Sequence, residues 1–300
     1  MKINFWGVRG SIATPGLETM KYGGDTTCIE VRVDGELIIL DAGTGIRRLG
    51  LELVNEFGNR PIEAHILITH THWDHIQGLP FFVPALMPQN KFTIYGCEDT
   101  SRSLKRLLSG QMAAEYFPIS LEQMAADIQF VELVQGTFQI GKAQITAIFT
   151  NHPGLAFGYK VLSSDGKTVF YAGDTEPYYQ LLYSNVNGTD AAVANEARRL
   201  TETMESELVQ FADSVDLLIF DAQYTPEEYS SKIGWGHSPW DYAVNIGLKA
   251  KVRKLALFHH DPMRSDYEVN EIVEKCRNII KEKGSSMECF GAQAGQQIIL

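Results

Sequence analysis

Apolar positions recur along the chain with two periods in turn, and the switches between them predict an alternation of strands and helices. Met1 to Trp6 reads as a strand that ends in the Gly-rich turn Phe5-Trp6-Gly7-Val8-Arg9-Gly10-Ser11. Ile29 to Val33 alternates, Asp34-Gly35 is a hairpin turn and Glu36 to Leu40 is the return strand. That strand closes at Asp41-Ala42-Gly43-Thr44-Gly45, and Ile46 to Phe57 has helical spacing. Ile62 to Thr69 is a buried strand, Phe92 to Tyr95 another, and Thr100 to Ala114 is helical in pattern. Phe130 to Leu133 and Thr137 to Ile140 are expected as a meander around Gly136. Strands follow at Ala143 to Phe149, Gly158-Tyr159, Thr168 to Tyr171, Val215 to Phe220 and Lys254 to Phe258. Helices are expected at Val193 to Phe211, Trp240 to Ala250 and Asn270 to Lys283, with short strands at Met287 to Phe290 and Gln297 to Leu300.

Candidate chemistry gathers where these strands end. The strand to Thr69 delivers His70-Thr71-His72-Trp73-Asp74-His75, and Ile76 to Pro80 is expected to open a short helix. Residues two apart in extended backbone face the same way, so His70 and His72 can grip one ion together. As the chain turns, Asp74 and His75 can serve a neighbouring position. Imidazole nitrogen with carboxylate oxygen suits zinc, or else manganese or iron. His152, Asp174 and Asp221 each follow a later strand; His237 lies in Gly236-His237-Ser238, just before a helix. The last central strand delivers His259-His260-Asp261-Pro262, of which alternation lets only one imidazole face inward. Asp41 by itself reads as a turn residue capping the helix that follows. Arg9 and Ser11 are weaker candidates for touching a phosphate.

Composition narrows the classes. In 300 residues, 44% hydrophobic content supports a sizeable core, and a formal net charge of −11 argues against broad polyanion binding. Cys28, Cys97, Cys276 and Cys289 are scattered without C-x-x-C pairing, as in a reduced cytoplasmic protein. No apolar run is long enough to span a bilayer, and no signal segment is visible. Between about 176 and 213 the chain turns polar, as an insertion that caps the site, forms a dimer surface or merely connects. Its tyrosines Tyr178, Tyr179 and Tyr183 either stack on an aromatic group or pack a helix face.

The order of these residues resembles the metallo-β-lactamase superfamily, whose H-x-H-x-D-H signature stands at His70 to His75. The resemblance covers nearly the whole chain. It implies an α+β fold, a four-layer αββα sandwich, as a single domain over residues 1–300. It implies two divalent ions, Zn2+ first and Mn2+ or Fe2+ as alternatives. His70, His72 and His152 would take one ion, Asp74, His75 and His259 the other, with Asp174 between them. The two halves of the domain would each supply ligands, His70 to His152 from the first and Asp174 to His259 largely from the second. Asp41, where the family carries an acidic residue before glycine, would either sit beneath the centre and orient a histidine or simply cap its helix. A hydroxide held between the ions would attack the substrate, with Asp74 in the catalytic set as well as the ligand set.

Within the superfamily the chain is similar to the ribonuclease Z-like phosphodiesterase branch. There a strand ending His-Glu-Ala-Thr precedes a Gly-His-Ser or Gly-His-Thr loop; here Phe220-Asp221-Ala222-Gln223 and Gly236-His237-Ser238 stand in those places. Carried over, His237 donates a proton to the leaving oxygen and Asp221 orients it. The tRNA-gripping arm of ribonuclease Z has no room in the short interval from His152 to Asp174. The expected substrate is therefore a small phosphodiester, a cyclic nucleotide or short nucleotide, with no extended nucleic-acid surface and no membrane. Alternatives are an ester, thioester or lactone hydrolase on the same ions, a ribonuclease Z-type endonuclease, or a non-catalytic sensor. A redox di-iron role would need Glu in place of His72. Family members often pair, which leaves a homodimer open.

Overall fold

Two sheets stacked face to face carry the molecule. The computed structural model describes residues 1–97, 101–178 and 191–300, with the backbone alone at 191–194. In chain order the strands and helices used below are β1 (Lys2–Gly7), β2 (Cys28–Val33), β3 (Glu36–Leu40), α1 (Gly45–Phe57), β4 (Glu63–Leu67), α2 (Trp73–Ile76), β5 (Lys91–Cys97), α3 (Leu104–Gly110) and β6 (Asp127–Leu133). They continue as β7 (Gly136–Ile140), β8 (Ala143–Phe149), β9 (Phe157–Leu162), β10 (Thr168–Tyr171), α4 (Ala191–Phe211), β11 (Leu217–Asp221), α5 (Pro226–Tyr229), α6 (Trp240–Lys249), β12 (Lys254–Phe258), α7 (Asp266–Glu282), β13 (Glu288–Gly291) and β14 (Gln297–Ile299).

One sheet has the order β14-β1-β2-β3-β4-β5-β6 and the other β13-β12-β11-β10-β9-β8-β7. Each is half antiparallel and half parallel. In the first, β3 to β6 run parallel; in the second, β10 to β13 do. Phe5, Val31, Leu67, Ile145, Val169 and Phe258 fill the space between the sheets. The outer face of the first sheet is covered by Ile46, Leu49 and Leu53, a helical stripe on α1. The outer face of the second is covered by α6 and α7, through Val244, Ile246, Ile272, Val273 and Cys276. This is the αββα sandwich. Strand β11 is buried along its whole length because it has layers on both sides, which is why Leu217 to Phe220 reads as one apolar run.

Several local expectations are corrected. Strands β6 and β7 form no meander: β6 pairs in parallel with β5 at the edge of one sheet, whereas β7 pairs with β8 at the edge of the other. The chain crosses between sheets at residues 134–136, helped by Gly136 at φ +153. Periodicity identifies a strand but not its partner. The helix expected from Ile76 starts three residues earlier, at Trp73, so Asp74 and His75 lie on its first turn. Helix α3 is shorter than expected, starting behind Ser103, whose side chain accepts from the Arg106 amide; Thr100 falls outside the described residues. Helix α7 starts four residues early, where Ser265 and Glu268 form a reciprocal capping box. In the 176–213 stretch, α4 lies over the second sheet through Leu208, with Ala212 just past its end in the same core. Tyr178 is buried in that same core, which removes it as a stacking surface; Tyr179 and Tyr183 lie outside the described residues.

Candidate metal centre

The strands β4, β8, β10, β11 and β12 all end at one edge of the sandwich, and their following residues converge there. His70, His72 and His152 bring one ring nitrogen each within 4.8 Å of one another. Asp74, His75, Asp174 and His259 form a second such group, and Asp174, Asp221, His237 and His259 a third that overlaps it. Asp174 lies between: its Oδ2 is 3.1 Å from His75 Nε2 and 3.6 Å from His70 Nε2, and its Oδ1 is 3.3 Å from His259 Nε2. His152 departs from the expected division of halves, because β8 belongs to the second sheet. The first sheet contributes only the turn at residues 70–75.

Neighbouring groups fix which nitrogen each ring presents. His75 Nδ1 donates to Asp41 Oδ2 at 2.8 Å, His152 Nδ1 to the Gly236 carbonyl at 2.9 Å and His259 Nδ1 to Gln223 Oε1 at 2.8 Å. Their Nε2 atoms are left to face the centre. His72 is turned the other way, with Nδ1 3.1 Å from His152 Nε2. Asp41 caps no helix. It accepts from the Thr69 amide at 2.7 Å and the Tyr171 hydroxyl at 2.8 Å, which leaves it as the brace behind His75. His259 has φ +59, a left-handed backbone that aims its ring inward, while His260 points away and bonds the Ala292 carbonyl at 2.9 Å.

Electrostatics divides the imidazoles in two. Burial pushes His70 well below the ordinary imidazole range and His152 down to about 4, so both are neutral donors of a lone pair. Burial acts on His75 and His259 as well, but the carboxylates of Asp174 and Asp74 outweigh it, holding His75 well above its usual range and His259 at about 9. Against burial, which alone would raise them, the facing imidazoles hold Asp74 and Asp174 below the carboxylate range. These protons occupy the place a cation would take. Two buried atoms aimed at the centre, His70 Nε2 and Asp174 Oδ1, have no hydrogen-bond partner among the described residues. Orphaned buried donors and acceptors are costly, and a divalent ion bound by nitrogen and oxygen would satisfy both. The donor set fits divalent metal.

Residues 37–260 match the family described as the Beta-lactamase superfamily domain. The chain belongs to that superfamily. Among curated relatives, the ribonuclease Z of Thermoplasma acidophilum is 25% identical over 96% of this chain and 94% of its own length. The metallo-beta-lactamase fold protein YhfI of Bacillus subtilis superposes with a TM-score of 0.64 at 16% identity, covering 99% of each chain. The short form of human tRNase Z does so at 0.62 and 17%, covering 100% of this chain and 99% of that one. The chain is a metallo-beta-lactamase-fold hydrolase similar to ribonuclease Z over nearly its whole length.

The superfamily site has further supports here, one of them the expected pair of His237 and Asp221 and others that sequence reasoning passed over. His237 Nδ1 donates to Asp221 Oδ2 at 2.9 Å, and its ring stacks on His259 with centroids 4.8 Å apart. It caps nothing; α6 starts behind Pro239. The loop that carries it is held by Glu176, a fully buried carboxylate that accepts from Gly234 N at 2.7 Å, Gly236 N at 3.1 Å and Tyr229 Oη at 2.7 Å. Glu176 stands two residues past Asp174, but an acidic residue in a polar stretch gives no sign that it is buried. Gln223 was visible as the end of the Asp221 stretch without its contact to His259 being legible. Arg9 touches no ligand site: its fully buried guanidinium donates to the carbonyls of Gly23, Asp261 and Arg264. Ser11 does reach the centre, but through its amide, which donates to Asp74 Oδ2 at 2.7 Å.

Proposed function

We propose that the protein hydrolyses a small phosphodiester, a cyclic nucleotide or short nucleotide, at a dinuclear centre. His70, His72 and His152 would hold one ion, Asp74, His75 and His259 the other, and Asp174 would lie between them. Bound divalent ions, with zinc the best match to this donor set, supply Lewis acidity and lower the pKa of water. The chain's own residues do the rest. The Asp41–His75, Gly236–His152 and Gln223–His259 contacts hold the rings in one tautomer and orientation. Asp221 accepts from His237 Nδ1 and stabilises the imidazolium, whose Nε2–H can pass its proton to the departing oxygen and leave the ring in the Nδ1–H tautomer.

The observation that carries this reading is the His237–Asp221 pair, a braced imidazole at the rim with Nδ1 3.8 Å from Asp174 Oδ2. An alkoxide leaving group needs such a donor; a thiolate leaves without one. A small substrate is favoured because β9 and β10 are joined by a tight turn, Ser163 to Lys167, rather than by an arm. The net charge of −11 points the same way. A second reading, an RNA endonuclease of ribonuclease Z type, draws on the near full-length likeness to ribonuclease Z. A substrate panel decides, run with elemental analysis of the same preparation: cyclic mononucleotides, cyclic dinucleotides, short RNA, a precursor tRNA and an aryl ester. Turnover of the small diesters with about two ions per chain is expected. Cleavage of precursor tRNA alone would establish the second reading, and ester hydrolysis alone would overturn both.

A further inference from the structure

Beside the centre lies a concave surface that the chemistry above does not use. A cavity of about 650 Å³ is lined by Trp73, Phe81, Tyr116 and Phe117, with the amides of Gln77 and Gln111. It shares Thr71 and Leu107 with a cavity of about 520 Å³ that reaches His70 and His72, so the two adjoin. Trp73 is 77% exposed, Phe81 54% and Tyr116 80%. Exposed aromatics are ordinary one at a time, but three in one hollow next to a reaction centre are not. Trp73 sits between His72 and Asp74, so its place is set by the same turn that sets the ligands. Phe81 is held edge-on by Phe117 at 5.3 Å, and Gln111 Nε2 is tied to the Ile76 carbonyl at 3.1 Å. The hollow is therefore built in advance and has no charged lining residue.

We infer that this hollow is a nucleobase subsite: the base of a nucleotidyl diester stacks on Trp73 and Tyr116 while its phosphate lies at the metal centre. The inference deepens the phosphodiesterase reading and rests on it for the position of the phosphate. A neutral planar ring matches an uncharged aromatic wall, and the glutamine carbonyls can accept from a ring's amino or imino edge. The volume lies within the ordinary range for small-ligand pockets.

Binding of adenosine 5′-monophosphate and of ribose 5-phosphate to the metal-loaded protein, measured by calorimetry, tests this directly. Base stacking should make the first bind at least about tenfold tighter. Trp73→Ala and Tyr116→Ala should each collapse that ratio, while Trp73→Phe keeps most of it; elemental analysis checks that Trp73→Ala retains its ions. The methyl esters of the same two phosphates give the kinetic counterpart, read as their ratio of kcat/KM. A wild-type ratio near one in binding, or a ratio unmoved by Tyr116→Ala and Trp73→Ala, overturns the subsite. So does sedimentation showing that these variants split a dimer with the ratio intact, since the hollow is then a subunit surface. A protein that keeps base-dependent binding yet cleaves no diester overturns the phosphodiesterase reading and leaves the subsite standing.

Discussion

At the scale of single residues, the roles separate by what each side chain touches. Removing a ligand and removing a proton donor should look different. His72→Ala should lose metal and activity together, read by elemental analysis and turnover on the same sample. His237→Ala should keep its metal while kcat falls by roughly 10²–10⁴; unchanged turnover would end its assignment as proton donor. The titration of His259 gives a second handle. Its pKa in the metal-free fold is raised to about 9 from an ordinary 6.5. The stabilisation from its charge contacts with Asp74 and Asp174 is thus complete below about 6.5 and is lost as pH rises through 9. Metal competes for the same position, so zinc affinity measured against a chelator should climb steeply between pH 6.5 and 9, with proton release on binding. The candidate ligands at residues 70–75 stood out in the sequence because three histidines and an acid rarely cluster behind one apolar strand, and the later candidates because each follows a strand in turn. Glu176, Gln223 and the Ser11 amide did not, because polar residues used as internal struts look like loop residues until their partners are known.

At the scale of elements, the loop at residues 234–238 is a lever on two ligand functions. Gly236 has φ +87, and a Cβ there would come 2.2 Å from His152 Nδ1, a ligand-supporting contact. Gly236→Ala should therefore displace His152 and weaken binding at the three-histidine position first, seen as loss of about one of two ions. Glu176→Ala removes the acceptor shared by the buried Gly236 N and Tyr229 Oη and the part-buried Gly234 N, and should cost on the order of 1–3 kcal/mol in chemical denaturation. Elements were mostly legible in the sequence. Apolar run length and Asp34-Gly35 located the strands and the first hairpin, whose turn residues take φ +52 and φ +90. Helix starts were misplaced where caps rather than apolar spacing decide them, late at Ser265 and early at Ser103. The assignment of β6 and β7 to different sheets depends on long-range pairing that no local pattern carries.

At the scale of the molecule, the centre sits on the seam between two sheets. One turn comes from the first sheet, and His152, Asp174, Asp221 and His259 come from strand ends of the second. Ions bound there join the sheets to each other. Chelation should lower the thermal midpoint, and at a free metal concentration 100-fold above the dissociation constant the loaded fold gains about 2.7 kcal/mol. Differential scanning fluorimetry with and without chelator measures this; equal midpoints would mean that the seam holds without metal. The first strand has a further part in this closure. Arg9 forms a parallel bridge to His260, the Gly10 amide donates to the His260 carbonyl, and the His260 amide donates to Val8, so the exit of β1 is stitched to the residue next to His259. During synthesis on the ribosome, then, the residues behind β1 must wait for those behind β12 before this closure can form. A nascent chain stalled short of β12 would carry six of the seven proposed ligands and lack His259.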